Sequence, residues 1–178
     1  MNLKYILGSI LAIPLLPILY FQAKRIKLNV PSLSEAKGKE GKVIKENIPL
    51  KKVLIIGEST MAGVGVKTHE EGFAGNFAKE ISALKRVSVE WQVFARSGYT
   101  AKQITQKILP RMTPSKIDLI IIGLGANDAF GLTTPSGWIK DIDTLVFSLN
   151  AKFPSIPIVF NNMPPIKEFP AFTKIIKF

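Results

Sequence analysis

Lys52-Val53-Leu54-Ile55-Ile56-Gly57-Glu58-Ser59-Thr60-Met61-Ala62-Gly63-Val64-Gly65-Val66 is an apolar run that stops at a glycine and at once presents a hydroxyl. Four consecutive branched residues closed by Gly read as a strand buried on both faces, as in a parallel sheet covered by helices. Ser59 then sits just beyond a strand's carboxyl end, where open α/β sheets place ligands and reactive groups. Gly-Glu-Ser-Thr also suits an ordinary strand-to-loop turn, and these residues alone leave both readings open.

Working outward, the pattern repeats. Phe73, Phe77, Ile81 and Leu84 recur at helical intervals behind Thr68-His69-Glu70-Glu71, which has capping-box spacing and predicts a helix start there. Val87 to Phe94 alternates as a strand with one wetter face, and Ala95-Arg96-Ser97-Gly98-Tyr99 is a turn. Thr100-x-x-Gln103 is a second capping box, opening a helix through Ile104 and Ile108 that Pro110 ends. Asp118 to Ile122 forms a third, continuously apolar strand running into Gly123-Leu124-Gly125-Ala126-Asn127-Asp128. A helix from near Ser136 and a strand over Ile156 to Phe160 complete the series. Strands alternating with helices demand parallel pairing through long crossovers. The expected fold is a three-layer α/β/α sandwich of flavodoxin-like type, with the loops of Ser59, Gly98 and Asn127 on one edge of the sheet.

The 178 residues carry no cysteine, 47% hydrophobic residues and a net charge of +11, which suits one domain with an appendage. The missing thiols exclude a disulfide scaffold, a thiolate metal site and a Cys nucleophile. Residues 1–52 hold ten Lys/Arg against three Glu, so the excess charge sits mainly in the appendage. That basic stretch lacks interleaved aromatics or a recognition motif, and no nucleic-acid partner is expected. No phosphate-loop motif and no His/carboxylate cluster at ligand spacing occurs, so neither cofactor nor metal is expected.

Tyr5 to Ala23 is free of charge, and nineteen helical residues would span about 28 Å, close to a bilayer's hydrocarbon thickness. The expectation is a single-pass membrane anchor over residues 1–27. A cleaved signal peptide or a buried helix would be the alternatives. Lys24, Arg25 and Lys27 follow the segment and favour a cytoplasmic domain by the positive-inside rule, whereas an exported function would point the other way. Residues 28–51 read as a solvated basic linker and 52–178 as the catalytic-type domain.

Acyl transfer needs a nucleophilic oxygen, a base for its proton, and donors aimed at the oxygen that becomes anionic. Ser59 can supply the nucleophile and one backbone N–H, Gly98 a second unobstructed N–H, and Asn127 an amide NH₂ that donates without ionising. On these residues the chain resembles the SGNH/GDSL hydrolase family. Gly57-Glu58-Ser59-Thr60 is similar to its first block, with Glu58 in place of the usual Asp. Ser97-Gly98 is similar to the second, and Gly125-Ala126-Asn127-Asp128 to the Gly-x-Asn-Asp third. The resemblance implies an esterase or lipase acting on acyl esters through Ser59, with Gly98 and Asn127 completing the oxyanion hole. It also implies a His in a C-terminal Asp-x-x-His block, which does not occur before Phe178, so the chain is expected to be C-terminally incomplete and its activity impaired. The sole histidine, His69, is expected to be a surface cap residue, and Asp128 would be a poorer base for a Ser proton. A non-catalytic fragment, or a module binding acyl or carboxylate ligands in the same cradle, is the alternative.

Overall fold

The structure is a computed structural model that describes residues 7, 8, 10, 13–15, 17, 18, 20, 21, 33–113 and 115–162. The described part of the N-terminal segment includes a short 3-10 turn, Ile13–Leu15. The candidate anchor therefore lies largely outside the described residues. Among these residues no helix is long and apolar enough to cross a membrane. Leu33–Met163 is a separate compact unit and carries the sheet.

Five strands make that sheet: β1 (Glu40–Val43), β2 (Leu50–Gly57), β3 (Ser88–Ala95), β4 (Leu119–Gly123) and β5 (Ile158–Phe160). Their order is β1-β3-β2-β4-β5, with β1 antiparallel to β3 and all other pairs parallel. The α/β class and mostly parallel sheet expected from the sequence are therefore observed. Helix α1 (Phe73–Lys85) joins β2 to β3. Helix α2 (Ala101–Gln103) winds on through a π-helical turn, Ile104–Ile108, and a 3-10 turn, Leu109–Arg111, before β4. A short α3 (Ala126–Phe130) and a long α4 (Pro135–Lys152) connect β4 to β5.

Strand alternation decides which helix covers which face. Val53 and Ile55 of β2 join Val89, Trp91 and Val93 of β3 and Ile121 of β4 in a buried cluster with Ala74 and Ala78 of α1. Leu54 and Ile56, with Ile120 and Ile122, pack instead against Ile104, Leu145 and Leu149 from the opposite helical layer. The chain thus leaves β2 over one face and leaves β3 over the other. The carboxyl end of β2, between those of β3 and β4, is the point where the strand order reverses, and ligand crevices open at such points.

Two expectations are corrected. Residues 40–43, read as part of a solvated linker, form β1, and the neighbouring Ser88 hydroxyl accepts from Lys45 N and donates to Lys45 O. Gly41 permits this edge strand, because a Cβ there would come 2.3 Å from Trp91 Cζ2. The helix expected to start at the Thr68 box starts at Phe73, with Gly72 at its N-cap and no side-chain cap bond. In contrast, the Thr100 box forms in both directions, Gln103 N to Thr100 Oγ1 at 3.3 Å and Thr100 N to Gln103 Oε1 at 3.0 Å.

The ends of β2 and β4 meet glycine to glycine, Gly57 opposite Gly123. A Cβ on Gly57 would lie 2.2 Å from the Gly123 carbonyl oxygen, a backbone atom that cannot swing aside. Around Gly98 there is open space, and only its φ of +81° disfavours a side chain. Gly57→Ala should therefore cost about 3 kcal/mol of unfolding free energy and Gly98→Ala about 1. Urea unfolding of the two variants checks this, and equal costs would contradict it.

Candidate active site

Ser59 follows β2 by two residues and takes φ +37°, a left-handed conformation uncommon for a side-chain-bearing residue. Such conformations cost on the order of 1–3 kcal/mol and persist where the surroundings over-determine them. Here the surroundings are the turn bonds Met61 N to Glu58 O at 2.7 Å and Val64 N to Ser59 O at 3.1 Å. Met61 is itself buried beneath the turn, touching the space above Gly57 and Gly123. The half-buried serine is thereby lifted at the end of the strand.

The Gly98 loop lies beside it. Arg96 N donates to Gly57 O at 3.0 Å, and Tyr99 N closes a turn on Arg96 O at 3.3 Å. The Asn127 loop lies on the other side, following β4. Asn127 Nδ2 donates to Tyr99 O at 3.2 Å, so one amide hydrogen is spent and the second remains for a ligand. Among the described residues the N–H groups of Ser59 and Gly98 have no acceptor. The structure therefore brings the three loops expected from the sequence into one hydrogen-bonded cluster, with a free donor hydrogen on each.

Two carboxylates beneath the loops were not foreseen as structural ties. Glu58, 5% exposed, accepts from Gly125 N at 2.9 Å and from Asn127 N at 3.2 Å, joining the serine turn to the start of α3. Burial raises its carboxyl above the usual range, against the pull of the surrounding N–H groups. Asp128 accepts from Ala101 N at 3.1 Å through Oδ2, while among the described residues Oδ1 has no partner. Burial raises its carboxyl too, opposed by the Ala101 N–H. Asp128 thus ties the Asn127 loop to α2. The Gly-x-Asn-Asp spacing marked the place, and only the folded chain shows which atoms it serves.

His69 is corrected. Rather than a surface cap it is 3% exposed, with its ring 6.4 Å from that of Trp91. Burial, reinforced by Lys39, holds it below the usual imidazole range and favours the neutral form. Its N–H donates to Lys37 O and its carbonyl accepts from Gly75 N, so the residue is built into the α1 side of the unit. Among the described residues no group of His and carboxylates could hold a metal ion.

A serine on a strained turn at the point where the strand order reverses, flanked by two loops with free donors, places this mostly parallel α/β unit in the class whose reactive groups sit at the strand ends. Residues 55–176 match the GDSL-like lipase/acylhydrolase family, and the chain belongs to that family. Among solved structures it resembles AlinE4, an SGNH-hydrolase family esterase, at TM-score 0.54 and 22% identity over 65% of this chain and 61% of that one. It also resembles the family 3 carbohydrate esterase of Clostridium thermocellum, at 0.53 and 14% over 66% and 63%. The third is the psychrotrophic esterase EstA of Pseudoalteromonas sp., at 0.51 and 17% over 65% and 62%. At these identities the likeness is one of fold, and the chain spans about three-fifths of the length of each. No curated protein matches the sequence.

The raised carboxyls fix a sign for pH dependence. Between its ordinary value and the raised one, a buried carboxyl holds its proton in the folded chain and not in the unfolded one, so stability falls as pH rises through that window. Asp118, lowered chiefly by the Lys52 N–H, acts in the opposite sense at lower pH. From about pH 4.5 to 7 the parent should lose stability relative to Asp128→Asn, which cannot ionise. Urea unfolding at both pH values measures the difference, and parallel pH profiles would contradict the assignment.

Proposed function

We propose that the chain is a serine hydrolase of carboxylic esters, working through an acyl-enzyme on Ser59. The observation that carries this reading is the laced set of three loops at the reversal point, each with an unspent donor. Ser59 Oγ attacks the carbonyl carbon as its proton passes to solvent water. The carbonyl electrons move to oxygen, and the N–H groups of Ser59 and Gly98 with the Asn127 amide stabilise the resulting anion. Each such donor is worth roughly 3 kcal/mol in the transition state. Collapse breaks the ester C–O bond, the leaving oxygen takes a proton from solvent and departs as the alcohol, and water then cleaves the acyl–Ser59 bond to release the acid. Family membership and the esterases among the similar structures support the reaction class, and an acyl ester or lipid is the substrate proposed.

The one histidine of these 178 residues is His69, buried beside Trp91, and it is assigned no part in accepting the proton. Catalysis then falls to the donors and to binding, which elsewhere leave about 10³–10⁴-fold over water when triad members are removed. The activity proposed for these 178 residues taken alone is accordingly an impaired one. The same free donors favour one second reading, a non-catalytic module that holds an acyl or carboxylate group in the cradle.

A fluorophosphonate probe separates the two. Covalent labelling of Ser59 that disappears in Ser59→Ala and falls at least tenfold in Asn127→Ala supports the hydrolase. A folded chain that stays unlabelled while carboxylates protect it from unfolding supports the binding module.

The membrane anchor over residues 1–27 belongs to the same proposal, resting on the uncharged stretch from Tyr5 to Ala23 and the basic residues behind it. The full chain should float with lipid vesicles, and a chain lacking residues 1–27 should not. Equal flotation of both would reject the anchor.

A further inference from the structure

The stretch 33–39, which precedes β1, is hydrogen-bonded both to the segment that follows the serine and to the Gly98 loop. Ala36 N donates to Ala62 O and Lys37 N to Lys67 O, while Gly65 N donates to Ser34 O and His69 N to Lys37 O. Ala36 is buried, and a Cβ on Gly63 would come 2.5 Å from its Cβ, so the strap is seated closely on the segment that follows the serine. Between these bonds Glu35 reaches the neighbouring loop. Its Oε1 accepts from Ser97 N at 2.7 Å and its Oε2 from Arg96 Nη1 at 3.1 Å.

The Gly98 loop has three consecutive backbone donors, and their use is uneven. Ser97 N is taken by Glu35 and Tyr99 N by Arg96 O, leaving the Gly98 N–H without an acceptor among the described residues. Gly98 itself is exposed, with no atom within 4 Å of where a side chain would be. Packing therefore does not hold its peptide in place. The hold comes from the bonds on either side, of which the shortest, and the one with a charged acceptor, is to Glu35. Charge-assisted bonds to backbone N–H groups are short and stronger than neutral ones.

We propose that Glu35 is the positioning residue of the oxyanion loop. By occupying Ser97 N it fixes the orientation of the following peptide, so that the Gly98 N–H is the donor offered to the substrate oxygen. The Arg96 side chain, more than half exposed, assists mainly by orienting the carboxylate. This inference rests on the hydrolase reading for its catalytic consequence, but the physical hold on the loop is independent of it.

Two measurements on the full chain keep these apart. In the first, hydrogen exchange of residues 96–99 should accelerate at least tenfold in Glu35→Ala, with exchange of β2 and β4 unchanged. Glu35→Gln, which keeps an acceptor oxygen, should recover most of the protection. Unaltered exchange at 96–99 in Glu35→Ala, or acceleration spread evenly over the sheet, would overturn the proposal. In the second, the first-order step of Ser59 phosphonylation at saturating fluorophosphonate should slow at least tenfold in Glu35→Ala, with half-saturation little changed and Glu35→Gln intermediate. A change confined to half-saturation would overturn the positioning role. If the parent chain is not labelled, the hydrolase reading fails, and the exchange result still decides whether Glu35 holds the loop.

Discussion

A carboxylate withdrawn from water is costly unless donors replace its hydration, and Glu58 meets this condition in the way that assembles the site. It accepts the N–H groups of Gly125 and Asn127, which open α3 and would otherwise be unpaired at that helix's start. One side chain thus satisfies its own charge and the beginning of a helix, and in doing so ties the serine turn to the loop that carries Asn127. Neighbouring bonds depend on that tie. Asn127, once placed, reaches Tyr99 O, and Asp128 reaches Ala101 N, so the Gly98 loop is drawn in from the other side. Glu58 stands where the family's usual residue is Asp, and its side chain reaches both N–H groups.

That hub works because two glycines allow β2 and β4 to end side by side. A Cβ on Gly57 would strike the Gly123 carbonyl and one on Gly123 would strike Met61, and Glu58 N donates to Gly123 O as the strands part. The serine turn begins where the sheet's pairing stops, with Met61 filling the space that side chains on the glycines would need. Strain at Ser59 is supported by this close fit from below rather than by contacts from solvent.

Much of this was legible in the chain because the signals are local. Leu54-Ile55-Ile56 and Ile120-Ile121-Ile122 are apolar on both faces, and both strands are buried as that pattern requires. Thr100 and Gln103 satisfy one another within a single turn, so their box forms wherever that turn forms. The failures are tertiary. Glu40-Gly41-Lys42-Val43 has no alternation of its own and becomes a strand because Trp91 can lie over Gly41. Thr68 and His69 carry a helix-start signal, yet they are engaged by the strap, with Lys37 bridged to Thr68 and bonded to His69 N, and α1 starts later. The blocks containing Ser59, Gly98 and Asn127 were readable by spacing. Glu35 was not, since a glutamate in a mixed-charge stretch carries no mark of the loop it meets once folded.

The proposed cradle is three donors acting on one oxygen, separate from the proton acceptor that a full acyl transfer needs. A crystal structure of the chain after fluorophosphonate treatment examines the cradle directly. The account predicts phosphorus bonded to Ser59 Oγ and its non-bridging oxygen about 3 Å from Ser59 N, Gly98 N and Asn127 Nδ2. An adduct whose oxygen points away from Gly98 and Asn127 into solvent would contradict it.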